Sequence, residues 1–73
     1  MTLSIIGKRI KFLRINLTNM SQEEFGNKLG FDRADNSRVE AGKQNITVEN
    51  LIKICEGLNV KLKDFFDMDK IEF

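Results

Sequence analysis

The side chains that most often carry out catalysis or bind metal ions are scarce in this sequence of 73 residues. It contains no histidine, the commonest general base and metal ligand, and a single cysteine, Cys55, which excludes an internal disulfide and a cysteine-based zinc site. Cys55 falls on the apolar face of a predicted helix, where a buried thiol is inert. The neighbouring carboxylates of Glu23 and Glu24 are explained as helix-capping residues. The sequence therefore predicts a protein that is not an enzyme and uses no cofactor or metal ion.

Basic side chains are concentrated in the first part of the chain. Residues 1–43 carry eight Lys or Arg and five Asp or Glu, a net charge of +3, whereas residues 44–73 carry four and six, a net charge of −2. Such an asymmetry can orient a protein on a polyanion. No apolar run approaches the roughly 20 residues of a membrane helix, and the N-terminus lacks the basic segment of a secretory signal. A single cytoplasmic domain over residues 1–73 is the expectation.

Helical periodicity and capping signals predict three helices in the first part of the chain. The buried face of the first is expected to comprise Ile6, Ile10, Leu13 and Leu17. Ser21 and Glu24 form a capping box for a second helix, which Gly30 ends. Asp32 caps a third helix that runs to about Ala41. Because a single residue separates the end of the second helix from the next cap, the two helices must cross steeply, as in a helix-turn-helix unit.

Two further helices are predicted in the second part of the chain. Thr47 caps a fourth helix, which ends at Gly57. Its buried face is expected to comprise Val48, Leu51, Ile52, Cys55 and Leu58. A short fifth helix is expected from about Leu62 to Asp67. The predicted fold class is therefore all-α, a compact bundle of five helices in which helices 2 and 3 form the helix-turn-helix.

The C-terminal tail, residues 60–73, is more apolar than so small a core should need. This excess predicts a homodimer whose surface comprises Phe65, Phe66, Met68, Ile71 and Phe73. The alternative is that the tail closes the core of a monomer.

Several sequence motifs occur together in one register. They are Ile6-Gly7-Lys8-Arg9-Ile10, Ser21-Gln22-Glu23-Glu24-Phe25, Ser37-Arg38-Val39-Glu40-Ala41-Gly42-Lys43 and Leu51-Ile52-Lys53-Ile54-Cys55. Any one of them is weak, but together they are specific. From about Ile5 to Phe66, the chain resembles the phage repressor and Cro-like helix-turn-helix family. In size it is similar to the short controller proteins of restriction-modification systems.

The resemblance implies a five-helix domain whose third helix lies in the DNA major groove while the second crosses the phosphate backbone. In that register the groove-facing residues are Arg33, Ala34, Ser37 and Arg38. An arginine can donate two hydrogen bonds to guanine O6 and N7, and Ala34 can contact a thymine methyl group. Ser37 could reach either a base or a phosphate.

The same register implies contacts with the DNA backbone and one internal ion pair. The candidate phosphate-binding residues are Gln22, Lys43, Asn45 and Arg14. Arg14 and Glu40 occupy the positions of an ion pair that holds the first helix to the third. For Arg14 this structural role is the main expectation.

Three positions depart from the family pattern. Asn36 stands where the family has a core-facing Ile or Val, so either its amide bonds across to a backbone group or the third helix is rotated. Asp35 either accepts a hydrogen bond from cytosine or, as we prefer, stabilises the helix start or pairs with Arg38. Lys61 replaces the usual Ser or Thr cap of the fifth helix, so that helix is expected to start late or fray.

The function implied by the resemblance is sequence-specific binding of double-stranded DNA by a transcriptional regulator. A homodimer would bind a palindromic operator, with no membrane or small-molecule partner. The alternative is a protein–protein interaction module or an antitoxin-like partner-binding protein, because fold does not fix function.

Overall fold

A computed structural model describes residues 3–68, which form five α-helices and no strand. The helices are α1 (Leu3–Leu17), α2 (Gln22–Leu29), α3 (Arg33–Glu40), α4 (Val48–Leu58) and α5 (Leu62–Phe65). Together they measure 30 × 24 × 20 Å. The all-α fold with five helices agrees with the prediction. None of the helices in residues 3–68 is long and apolar enough to cross a membrane.

The predicted capping signals set the ends of α2 and the start of α3. The Ser21 hydroxyl accepts from the Glu24 backbone N–H at 3.1 Å, and Glu24 Oε1 accepts from the Ser21 N–H at 3.0 Å. The bond from the Ser21 backbone N–H, with a smaller contribution from the Ser21 side chain, stabilises the ionised carboxylate and so lowers the pKa of the Glu24 carboxyl. Gly30 ends α2 at a φ of 75°, and Asp32 Oδ1 accepts from the Ala34 N–H at 3.3 Å. The turn between α2 and α3 is therefore as tight as the sequence predicts.

The core is built from all five helices. Four side chains are completely buried, and each comes from a different helix: Ile10, Phe25, Ile54 and Phe65. Val39 of α3 and Cys55 of α4 belong to the same buried cluster. Burial raises the pKa of the Cys55 thiol, so the reactive thiolate is disfavoured. The structure thus gives the single cysteine a packing role.

Two predictions about α4 need correction, the residues of its buried face and the residue at which it ends. Val48 and Ile52 are 68% and 42% exposed, whereas Ile54 is completely buried. The helix also continues through Gly57, because the left-handed residue that ends it is Asn59, with a φ of 58°. The sequence signal misled because the apolar stripe of α4 is wider than the surface that packs inward, so periodicity alone did not fix which part of the stripe is buried. On α1, Leu17 is likewise 53% exposed.

The predicted dimer surface also needs correction, because Phe65 is completely buried in the core of the chain. Phe66 is half-buried, and its ring packs edge-on against Phe65 with centroids 5.0 Å apart. Met68 is half-buried as well, while Ile71 and Phe73 lie outside the described residues. The first part of the tail therefore closes the core, as the alternative interpretation held.

Arg9 fastens α1 to the end of α5. Its Nε donates to the carbonyl of Phe65 at 2.7 Å, and its Nη2 donates to the carbonyls of Asp64 and Asp67 at 3.0 and 3.2 Å. These carbonyls lie at a helix C-terminus, where backbone acceptors lack partners and a positive charge is favourable. Without a side-chain cap at Lys61, α5 is a single turn that ends at Phe65, short of the predicted Asp67.

Candidate nucleic-acid interface

The third helix presents one face to the core and the other to solvent. Asn36, Val39 and Glu40 are buried, with 2%, 8% and 5% of their surface exposed. The exposed residues of the helix include all four candidate base-reading residues, Arg33, Ala34, Ser37 and Arg38. Residues 34, 37 and 38 follow the i, i+3, i+4 spacing of a single helical face. The helix thus offers these side chains to a partner together.

Asn36 anchors this helix against α2. Its Nδ2 donates to the Gln22 carbonyl at 3.0 Å, which is the first of the two arrangements expected for it. Its Oδ1 is buried and has no hydrogen-bond partner among the described residues. The amide sits beside Gly26, where an added Cβ would meet it at 3.5 Å. The departure from an apolar residue is therefore accommodated by one hydrogen bond to the backbone, while the outer face of α3 stays exposed.

A buried ion pair joins the helix-turn-helix to α1, as predicted for Arg14 and Glu40. Arg14 Nε donates to Glu40 Oε2 at 3.0 Å, and Arg14 Nη2 donates to Oε1 at 3.2 Å. Arg14 Nη1 donates to the Met20 carbonyl, and Gln22 Nε2 donates to Glu40 Oε1, both at 3.0 Å. The two charged side chains are 9% and 1% exposed. The network fixes α1, the start of α2 and the end of α3 relative to one another.

The geometry argues against the second role expected for Arg14, as a phosphate ligand. All three of its guanidinium nitrogens donate within the protein, and the side chain is almost entirely buried. Arg9 is likewise occupied by the carbonyls at α5. Two of the basic side chains in the first part of the chain are therefore engaged in contacts within the protein.

The other candidate phosphate-binding residues flank the helix-turn-helix. Gln22 is half-buried at the start of α2, where free backbone N–H groups favour an anion, and its Nε2 keeps one N–H beyond the bond to Glu40. Lys43 and Asn45 are exposed in the loop after α3. Asn45 Oδ1 accepts from the Ile46 N–H at 2.9 Å. Lys43 is therefore the exposed cation of this set.

Both arginines on the exposed face of α3 lie beside carboxylates. Arg33 Nη1 is 3.7 Å from Glu23 Oε2, a loose pair between side chains that are 75% and 53% exposed. Arg38 is held more closely, because its Nη2 donates to Asp35 Oδ1 at 2.6 Å and its Nε donates to Gln44 Oε1 at 2.8 Å. Asp35 thus takes the pairing role preferred for it. Gln44 had no assigned role, and nothing in the sequence marked it as a partner of Arg38.

The sequence profile of the helix-turn-helix family matches residues 10–65, from the middle of α1 to the end of α5. The chain belongs to the helix-turn-helix family. The matched range contains the capped α2–turn–α3 unit, the Arg14–Glu40 pair and all of the candidate base-reading residues.

Members of the family that resemble this chain include controller proteins. It is 40% identical over 65 residues to control protein C.MunI from Mycoplasma sp., with 88% of each chain covered. It is 31% identical over 67 residues to control protein C.BamHI from Bacillus amyloliquefaciens, covering 92% of this chain and 83% of that protein. A crystal structure of the restriction-modification controller protein C.Esp1396I, a tetramer in complex with its natural 35 base-pair operator, is also similar. It is 35% identical, with a TM-score of 0.80, over 90% of this chain and 86% of that one. The family predicted from the sequence motifs is confirmed.

Proposed function

We propose that the protein is a sequence-specific DNA-binding regulator of transcription, of the kind that controls restriction-modification genes. The observation that carries this proposal is the exposed face of α3, where Arg33, Ala34, Ser37 and Arg38 stand together on a helix fixed by buried contacts. An exposed helix of this kind fits the major groove, and arginine is the residue best suited to guanine. The resemblance to C.Esp1396I, which binds an operator, supports it.

In this proposal α3 reads bases and the residues that flank it hold the DNA backbone. Gln22 with the N-terminus of α2, Lys43 and Asn45 are the proposed phosphate contacts. The protein acts by binding, without catalysis, and it works in the compartment that holds the DNA, the cytoplasm of a bacterial cell. The interaction-module alternative has less support, because the exposed arginines of α3 match the needs of a DNA partner.

Selection of bound duplexes from a random DNA pool at moderate salt tests the proposal. We expect a motif with two-fold symmetry. Arg33→Ala and Arg38→Ala should each relax the preference at particular base pairs, at a cost of about 1–3 kcal/mol. Lys43→Ala should weaken binding to all sequences alike and lower the salt dependence, because a phosphate contact carries no sequence information. Enrichment of no motif above a salt-sensitive background would contradict base reading by α3 and direct the search to protein partners.

We further propose that the operator is bound by a homodimer whose surface includes Val48 and Ile52 of α4. A single α3 covers only a few base pairs, and a two-fold dimer reads two half-sites about 34–36 Å apart. Val48 and Ile52 lie one helical turn apart and expose 68% and 42% of their surface, directly after the loop that follows α3.

Sedimentation equilibrium at micromolar concentration tests this dimer. Val48→Lys is expected to raise the dimer dissociation constant at least about tenfold, which corresponds to about 1.4 kcal/mol, because a charge would enter an apolar contact. Phe12→Lys is the matched control, since Phe12 is 54% exposed on the outer side of α1. Neither change touches the core. A strictly monomeric wild type, or dissociation caused by Phe12→Lys alone, would contradict the proposed surface.

A further inference from the structure

The guanidinium of Arg38 is held along one edge. Its Nε donates to Gln44 Oε1 at 2.8 Å, and its Nη2 donates to Asp35 Oδ1 at 2.6 Å. The Arg38 and Asp35 side chains are 52% and 48% exposed, so this arrangement lies at the surface. These two bonds restrain the outer part of a long side chain that would otherwise sample many rotamers.

The two partners reach Arg38 from opposite ends of α3. Asp35 lies in the first turn of the helix, three residues before Arg38, which is the spacing at which helical side chains meet. Gln44 lies beyond the end of the helix, where Gly42 adopts a φ of 76° and redirects the chain. The loop after α3 therefore brings an amide oxygen back to the helix it has just left.

The remaining N–H groups of Arg38 suit one particular partner. A guanidinium has five N–H donors in a rigid planar fork, of which Asp35 and Gln44 occupy two. Both N–H groups of Nη1 and the second N–H of Nη2 are left to donate. One from each nitrogen is what the O6 and N7 acceptors of guanine require.

We propose that Asp35 and Gln44 are positioning residues that hold Arg38 in place to read a single guanine. The inference rests on the proposed function, since it assumes that α3 enters the major groove. Restraining the side chain in advance reduces the conformational entropy lost on binding, so more of the contact energy appears as discrimination between bases. The Asp35 carboxylate also repels phosphates, so it lowers affinity for DNA of any sequence while it sharpens the preference for guanine.

The experiment compares two operators that differ only at the base pair identified by Arg38→Ala, with G·C in one and A·T in the other. The ratio of their dissociation constants for the wild type should be about 5- to 150-fold, the range of a good bidentate contact. Asp35→Ala is expected to reduce this ratio at least about threefold and yet to tighten binding to unrelated DNA, because a negative charge is removed. A residue with only a structural role would not shift these two quantities in opposite senses.

Two variants of Gln44 separate the effect of its acceptor oxygen on Arg38 from the effect of charge on DNA affinity. Gln44→Ala is expected to lower the ratio, whereas Gln44→Glu keeps the acceptor oxygen and should keep the ratio while weakening binding to all DNA. Glu23→Gln is the matched control for Asp35, since it removes one charge near α3 from a side chain that faces Arg33. It should tighten binding to all DNA and leave the ratio at the Arg38 base pair unchanged.

The outcomes distinguish this inference from the proposed function. A wild type without any base preference overturns both. A wild type with the preference, and with an unchanged ratio in Asp35→Ala and Gln44→Ala, overturns the positioning role alone. If Asp35→Ala changes the preference at a different base pair from Arg38→Ala, Asp35 is itself a base reader and the positioning role is wrong.

Discussion

Glu40→Ala is expected to lower the free energy of unfolding by about 3–5 kcal/mol, the usual cost of removing one member of a buried ion pair. The alanine would leave Arg14, whose side chain is 9% exposed, with a charge that neither water nor a carboxylate compensates. A domain of this size has a stability of roughly 4–11 kcal/mol, so this loss is a large fraction of the total. Urea unfolding followed by circular dichroism at 222 nm measures it.

Two comparison variants show whether the cost comes from the stranded charge. The double variant Arg14→Met, Glu40→Leu removes both charges and fills the space with apolar groups, and we expect it to recover most of the lost stability. Glu23→Gln breaks the exposed pair with Arg33 and should change stability by less than about 0.5 kcal/mol. A Glu40→Ala variant as stable as Glu23→Gln would mean that the buried network is not needed to hold α1 against α3.

Local sequence signals predicted the helices better than they predicted how the helices pack against one another. Ser21 with Glu24, Gly30 and Asp32 act through bonds to neighbouring backbone, so their residue types suffice to place the α2–turn–α3 unit. The family register then predicted which residues of α3 are exposed and that Arg14 meets Glu40. These features depend on positions close in sequence or on a pattern shared across a family.

What the sequence did not predict depends on contacts between distant residues. Phe65 was assigned to a dimer surface, but its side chain fills the core, because α5 packs against the other helices and Arg9 of α1 binds its C-terminal end. Ile52 and Ile54 are both apolar and two residues apart, yet the angle at which α4 docks buries one and exposes the other. Gln44 acquires its partner from the loop geometry, which no periodicity encodes.

Gly7 lies where α1 passes close to the backbone at the C-terminal end of α3. A Cβ at this position would lie 2.4 Å from the Val39 carbonyl oxygen, 2.6 Å from the Glu40 carbonyl oxygen and 2.9 Å from the Glu40 carbonyl carbon. All three are backbone atoms at the C-terminal end of α3, so no side-chain rotation can relieve the overlap. In the structure this glycine is buried inside α1.

Gly7→Ala is therefore expected to destabilise the protein, even though alanine favours a helix by about 1 kcal/mol over glycine. The overlap should cost more than this gain, since overpacking costs about 1–3 kcal/mol when side chains alone can adjust, and here the backbones must separate. The end of α3 would move with them, so operator affinity should fall although Arg33, Ala34, Ser37 and Arg38 are unchanged. Urea unfolding and operator titration below the unfolding transition measure the two effects.

Gly57→Ala is the matched control for this prediction. Gly57 also lies in a helix, and its added Cβ would lie 2.7 Å from Leu29 Cδ2, the mobile end of a side chain that can turn aside. With the helix propensity of alanine in its favour, this variant should stay within about 1 kcal/mol of the wild type and bind the operator equally well. If both variants were equally stable and bound the operator equally well, the close spacing of α1 and α3 would not be what positions α3. If only Gly7→Ala weakens the operator complex, the family's glycine in α1 is required because it sets the place of α3 against the core.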